Sequence, residues 1–465
     1  MKVGFEALGI KIPEFLLPNP AVDLTKWAVV ACDQYTSQPD YWEQVAGLIG
    51  SAPSTLNLIF PEVYLGKGDE EGRIRRIQKT MRDYLDAKVI EPQGPAFVFV
   101  RRETGRGKKR HGLIAALDLE HYDYHRGSQT LIRATEGTVL DRIPPRVRIR
   151  EGAALELPHI MALIDDPEGR VIEPLAARVE ASCASARDAA GFTRVYDTEL
   201  MMNSGRVAGY RVDAPELYQG ILEGLRGLAD PSRFNQKYGV TGQPVLLFAV
   251  GDGNHSLATA KAVWEKLKQG LAGSPDLMDH PARYALVELV NLHDPGLEFE
   301  PIHRVVFGVA LPQLWEAMKT YYHNQGAVMT LEFTGDSNTA REKAREYSRL
   351  KQGAHLIRFI TENGWGLLIV EKSPQILEAG SLQLFLDDYL SNNPQTRIDY
   401  IHGDEVVTEL GQKPGNIGFY LPPMAKNGLF KTVIINGVLP RKTFSMGEAD
   451  EKRFYMECRK IVKEY

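Results

Sequence analysis

The stretch PVLLFAVGDGNHSLATAKAVWEKLK, residues 244–268, decides how the rest of the chain is read. Residues 245–250 are an apolar run. It stops at Gly251-Asp252-Gly253-Asn254-His255, and a helical pattern follows from Ser256. This is strand, tight polar turn, helix, with Ser256 expected at the helix N-cap. The first backbone N–H groups of such a helix have no partner within it and face the turn. With the macrodipole they attract an anion. Asp252, Asn254 and His255 add groups that hold a metal or move a proton, so the combination favours phosphate chemistry. The alternative is a turn whose glycines serve only backbone geometry, with His255 a hydrogen-bonded core residue. The spacing is not that of the GxxxxGK[ST] phosphate loop, because Lys261 lies too far along the helix; of GxGxxG, only Gly251 and Gly253 fit.

Length and composition bound the answer. At 465 residues the chain has room for two or three domains. Apolar content of 43% with charged content of 25% is that of a soluble globular protein. A net charge of −5 gives no global reason to expect nucleic acid. No run approaches the roughly 18 apolar residues of a membrane span. The opening MKVGFEALGIKIPEF lacks a signal-peptide pattern. Cys32, Cys183 and Cys458 lie far apart and form no CxxC pair. A reduced, cytoplasmic protein without disulfides or structural zinc is expected.

Outward from the central motif, strand and helix patterns alternate, so a mixed α and β fold (α+β or α/β) is expected. A central mixed sheet would carry the 244–268 motif, with smaller α+β regions around it. Strands are expected at 27–32, 159–164, 208–212, 282–292, 417–421 and 432–435, with hairpins at 96–101/109–117 and 355–360/365–370. Helices are expected at 39–48, 73–87, 175–190, 215–228, 313–322, 339–349 and 448–462. Residues 270–281, rich in Gly, Ser, Pro and Asp, read as a linker. The expected division is an N-terminal region 1–270, a segment 271–308 continuing the same site, and a C-terminal α+β region 309–465.

Four other segments carry candidate chemistry. Ala31-Cys32-Asp33-Gln34-Tyr35-Thr36-Ser37-Gln38 joins an expected strand to a helix, a place where polar side chains line sites in α/β proteins. Their other reading is backbone capping. Arg133, Arg142, Arg146, Arg148 and Arg150 cluster around Glu136 and Asp141. Arginine forks bind phosphate at two points. The alternation of 146, 148 and 150 with Val147 and Ile149 puts three arginines on one expected strand face, equally compatible with a solvated surface. His303-Arg304 is either a phosphate contact or a salt-bridged anchor. Arg441-Lys442, with Thr443 and Ser445, is a basic turn.

Six stretches together resemble the domain of unknown function 1015 family: ACDQYTSQPDYW (31–42), LIRATEGT with RIPPR (131–146), PHIMALIDDPEG (158–169), GDGNHSLATAK (251–261), ARYALVELVNLHDPGLEFEPIHR (282–304) and LPRKTFS (439–445). Many relatives carry Asp-Gly-His-His-Arg where this chain has Asp252-Gly253-Asn254-His255-Ser256. The turn is also similar to that of ParB/sulfiredoxin-like domains, a likeness of one turn and one helix. That group includes nucleotide hydrolases, a phosphoryl-transferring reductase and a free-serine kinase. The family resemblance further implies a link to serine metabolism through gene neighbourhood.

The resulting expectation is a phosphate-handling enzyme, performing phosphoryl transfer or phosphate-ester hydrolysis on a small metabolite or nucleotide. Asp252, His255 and Glu136 are its catalytic candidates, with Asp252 also the ligand for Mg²⁺. Gly253, Asn254, Ser256, Arg133, Arg146, Arg304 and His303 are the binding candidates. The partner is a phosphorylated small molecule. A non-catalytic nucleotide or metabolite sensor is the second reading. A ParB-like nucleic-acid role is the third, opposed by the acidic net charge.

Overall fold

The computed structural model describes residues 2–138, 143–185 and 191–463. Asp141 and Arg142 of the arginine cluster lie outside the described residues. The chain divides into two compact units. The first comprises Met1–Glu298, Val433–Gly437 and Gly447–Tyr465; the second comprises Phe299–Thr432 and Val438–Met446. Residues 271–298 thus fall in the first and 299–308 in the second.

The first unit is built on a ten-stranded mixed sheet. Its order is Phe192–Leu200, Gly205–Val212, Phe97–Thr104, Lys109–Asp118, Tyr284–Asn291, Met161–Ile164, Phe248–Asp252, Ile132–Ala134 and Tyr122–Asp123, with Ile10–Lys11 added beside Lys109–Asp118. The expected mixed α and β class is what the structure shows. Central strands such as Tyr284–Asn291 and Met161–Ile164 are buried at every position, as their mostly apolar sequences require, and Glu288 and Asn291 are buried with them. One core includes Phe97, Phe99, Leu247 and Trp264; the other includes Trp27, Trp42, Val98 and Tyr455.

Two pairings place the central motif. Phe248–Asp252 runs antiparallel to Met161–Ile164, with Asp252 opposite Met161. It runs parallel to Ile132–Ala134 on its other side. The end of the motif's strand therefore lies beside the residues that precede Met161 and those that follow Ala134.

The second unit holds an antiparallel six-stranded sheet, in the order Val328–Thr334, Gly364–Glu371, His355–Thr361, Asn416–Tyr420, His303–Phe307 and Arg397–Ile401. The hairpin expected at 355–360/365–370 lies in it. The core of this unit gathers Leu314, Met318 and Tyr322 of the helix Leu311–Asn324 and Leu382, Phe385 and Leu386 of the helix Glu378–Asn392 against Ile357, Phe359 and Leu368. Among the described residues, no helix is long and apolar enough to cross a membrane.

Five local expectations are corrected. The run 27–32 is not a strand. Asp23 caps a short helix Leu24–Trp27 by accepting from the Thr25 N–H, and the extended chain after it makes one bridge, Val30 to Phe454. The arginine segment is the helix Ile143–Arg150, not a strand. Pro144 and Pro145 occupy its first turn, where a missing N–H costs nothing. Residues 432–435 belong to the helix Gly428–Asn436.

The last two corrections bear on the site. The long helix of 254–270 starts at Asn254, with Gly253 rather than Ser256 as its N-cap. Residues 448–462 form no long helix: beyond a 3-10 turn at Ala449–Glu451 the chain is extended. Tyr455 donates its N–H to the Val29 carbonyl, Ala31 to Arg453, and Cys458 to Leu16. Pairing with distant backbone and burial of 451–459 overrode the local helical pattern.

Candidate functional site

The turn at 251–256 is shaped by Gly253, whose φ of 77° is left-handed. A Cβ there would also lie 2.9 Å from Ile160 Cγ1 and 3.0 Å from Ile160 Cα. Glycine is therefore required twice over. Asn254 is buried, and its Oδ1 accepts the Thr135 N–H at 3.1 Å. The Thr135 hydroxyl donates to the Val250 carbonyl at 2.5 Å. This stitches the Arg133–Thr138 segment to the turn and puts Glu136 one residue from that joint. The first bond of the helical ladder runs from Leu257 N–H to the Gly253 carbonyl. The amides of Asn254, His255 and Ser256 precede it.

Ser256, in that first turn, meets a histidine. Its Oγ is 2.8 Å from His159 Nε2. The other ring nitrogen, Nδ1, is 2.9 Å from the Tyr455 hydroxyl, which also accepts the Cys32 N–H at 3.1 Å. His159 is 8% exposed, and Asp33 Oδ2 lies 3.8 Å from its Nε2. Burial alone would raise the Asp33 carboxyl. His159, the Gln34 amide at 2.9 Å and Lys452 outweigh it and hold Asp33 below its usual range.

A second charge pair flanks the turn. Lys452 Nζ sits 3.1 Å from Asp252 Oδ2, and the Gly253 N–H donates to Asp252 Oδ1 at 3.0 Å. Both oxygens of the expected Mg²⁺ ligand thus face donors, one of them a cation. Among the described residues, no group of three His, Cys, Asp or Glu side chains could hold a metal ion. This donor set does not make a metal cage.

Ser256, His159, Cys32 and Tyr455 line a cavity of about 140 Å³ together with Glu62 and Arg146. Arg146 Nε donates to Glu62 Oε1 at 2.9 Å. Burial raises the Glu62 carboxyl, a shift that Arg146 opposes and the nearby Asp33 reinforces. In the helix Ile143–Arg150, Arg146 and Arg150 lie one turn apart on one face. Arg148 points instead to Glu70, at 3.5 Å, and Glu71.

The expected residues therefore scatter in part. Asp252, Gly253, Asn254, His255 and Ser256 share one turn, Glu136 adjoins it, and Arg146 lines the same cavity as Ser256. His255 is half-buried, and its carbonyl accepts the Thr259 hydroxyl. Arg133 is close in sequence to the joint but spends its guanidinium on the carbonyls of Thr130, Pro244 and Val245. Burial lowers it to about 10. His303 and Arg304 belong to the second unit. There His303 meets Asp404 at 3.0 Å and the Leu421 N–H, and Arg304 meets Gln383 and the Ile302 and Arg441 carbonyls.

Sequence reasoning did not single out His159, Glu62, Lys452 or Tyr455. His159 stood as the first residue of an apolar run and inside the stretch 158–169 that carries the family resemblance, with no role assigned to it. The signal for it was a lone polar ring at the head of a buried strand. Lys452 and Tyr455 fell in the segment 448–462, read as a helix.

A family model described as a protein of unknown function (DUF1015) matches residues 16–389. No curated protein is detectably similar in sequence. Among solved structures, the chain is similar to a conserved hypothetical protein from Pyrococcus furiosus, at 11% identity and a TM-score of 0.34, over 75% of this chain and 95% of that one. It is similar to a free serine kinase in complex with AMP, at 10% identity and a TM-score of 0.36, over 75% and 92%. A mutant form of free serine kinase in complex with ADP gives 11% and 0.37, over 75% and 92%. At these scores no residue role passes to this chain.

Proposed function

The chain belongs to the DUF1015 family, and from that premise we propose that it is a phosphate-handling enzyme, transferring or hydrolysing a phosphoryl group on a small metabolite. The carrying observation is the Ser256–His159 contact at 2.8 Å in the first turn of the Asn254–Gly270 helix. A hydroxyl, a histidine backed by a carboxylate, and leading helix amides meet at one point. The amides hold phosphoryl oxygens. His159 moves the proton of the attacking or leaving oxygen, and Asp33 stabilises the ring when it is charged. Lys452 and Arg146 offset negative charge that develops on the transferred group. His255 and Glu136 remain acid–base candidates beside His159. No step is given to Mg²⁺, because Lys452 faces the carboxylate expected to bind it.

The test is a thermal-shift screen of nucleotides and phosphorylated metabolites, followed by turnover assays on every hit. A ligand near 100 times its Kd adds about 2.7 kcal/mol of stability. The proposal expects a hit whose shift and turnover are lost in Ser256→Ala and His159→Ala. Hits indifferent to both substitutions would overturn it.

A further inference from the structure

The cavity that holds Ser256 and His159 has two kinds of wall. One is the polar set described above. The other is hydrocarbon: Phe60, Met81, Ile149, Ala153, Leu157 and Leu286 line the same space. The remaining charged groups on it are spent on one another. Arg150 bonds Glu156 at 2.5 Å, and Glu156 also takes Arg459 Nε at 2.6 Å and the Leu286 N–H at 2.9 Å. Glu62 holds Arg146.

We propose that the substrate of this site carries a compact apolar group, branched aliphatic or monocyclic aromatic, close to its phosphoryl or hydroxyl oxygen, and that this group fills the hydrocarbon side of the cavity. The inference rests on the phosphate reading for the head of the molecule and on the cavity walls for its body. The volume of about 140 Å³ has room for a group of this size. A cavity of roughly 150 Å³ lined by apolar side chains holds one benzene ring. A purine would bring several polar ring edges into walls that offer them few partners, each unmade bond costing roughly 1–3 kcal/mol. A bare polar metabolite would leave the apolar wall facing water. Small-molecule sites combine a mostly apolar lining with a few placed polar groups, and this cavity has that division.

Calorimetric titration of the full chain with benzyl phosphate, inorganic phosphate, AMP and benzyl alcohol tests the proposal. Benzyl phosphate is expected to bind at least about tenfold more tightly than inorganic phosphate, a difference of about 1.4 kcal/mol, and more tightly than AMP. Ala153→Leu, which fills the cavity, is expected to erase that ratio. Ile149→Trp serves as a second filling variant should the first fail to fold, with the circular dichroism melt as the check on each. Equal binding of benzyl phosphate and inorganic phosphate, a preference for AMP, or a ratio unmoved in a folded filling variant would overturn the proposal. If benzyl alcohol binds the native chain but not the filled variant while neither phosphate compound binds, the apolar cavity stands and the phosphate reading falls. If no benzyl compound binds, the apolar cavity falls, and inorganic phosphate reports separately on the phosphate reading.

Discussion

Ser256 Oγ and His159 Nε2 lie 2.8 Å apart although 97 positions separate them in the chain. The antiparallel pairing of Phe248–Asp252 with Met161–Ile164 makes this contact, because it sets the end of one strand beside the start of the other. His159 enters from the start of its strand and Ser256 from the helix after the turn.

If His159 moves a proton in the reaction, His159→Ala should lower turnover by about 10²–10⁴-fold in protein that still folds. Retained turnover in a folded variant would make the ring a structural filler.

Tyr455 acts on His159 rather than on substrate, since its hydroxyl bonds Nδ1 and the Cys32 N–H. Tyr455→Phe should shift the pH profile of turnover, because Nδ1 loses the partner that sets its tautomer. It should also cost roughly 1–3 kcal/mol of stability through the Cys32 amide left unpaired. A lowered melting temperature with an unmoved pH profile would confine Tyr455 to the fold.

Asp33 predicts an acid dependence. Its folded carboxyl titrates below the ordinary value of 3.8, so the folded state binds its proton less readily than the unfolded chain. The stability this adds is present above that ordinary value and lost as pH falls through the lowered one. Asp33→Asn should therefore melt below the native chain at pH 7, and the two melting curves should converge as pH falls below the ordinary value of 3.8. Parallel curves across that range would show that Asp33 makes no such contribution.

The two arginines should separate. Arg133→Met leaves three carbonyls without their donor and should cost roughly 1–3 kcal/mol of stability with KM unchanged. Arg146→Met should raise KM for a phosphorylated substrate. Reversed outcomes, read from melts and steady-state kinetics, would exchange their roles.

Gly253→Ala should destabilise by at least about 1–2 kcal/mol, the cost of a left-handed backbone for a residue with a Cβ, before the clash with Ile160 is counted. A melt equal to the native one would mean that the turn relaxes without loss.

By itself, the sequence determined the elements whose periodicity agrees with their burial. The strand–turn–helix at the centre, both hairpins, and helices such as Pro215–Leu228 and Leu311–Asn324 were legible, because their apolar spacing is the spacing of the face each one buries. It also marked the turn residues 252–256, since a glycine between an acidic and an amide side chain at a strand end is a local signal. The tertiary structure alone decided what faces that turn. His159 and Glu62 come from separate segments: register between strands, not local pattern, places His159, and Glu62 arrives on the 3-10 turn Glu62–Tyr64, whose first N–H bonds the Cys32 carbonyl. Lys452 and Tyr455 arrive on a segment whose helical pattern is overridden by backbone pairing with Leu16, Val29 and Ala31. Arg133 reads like a phosphate ligand in sequence. Only the fold shows its guanidinium turned to three carbonyls, because a buried cation takes whatever acceptors close around it.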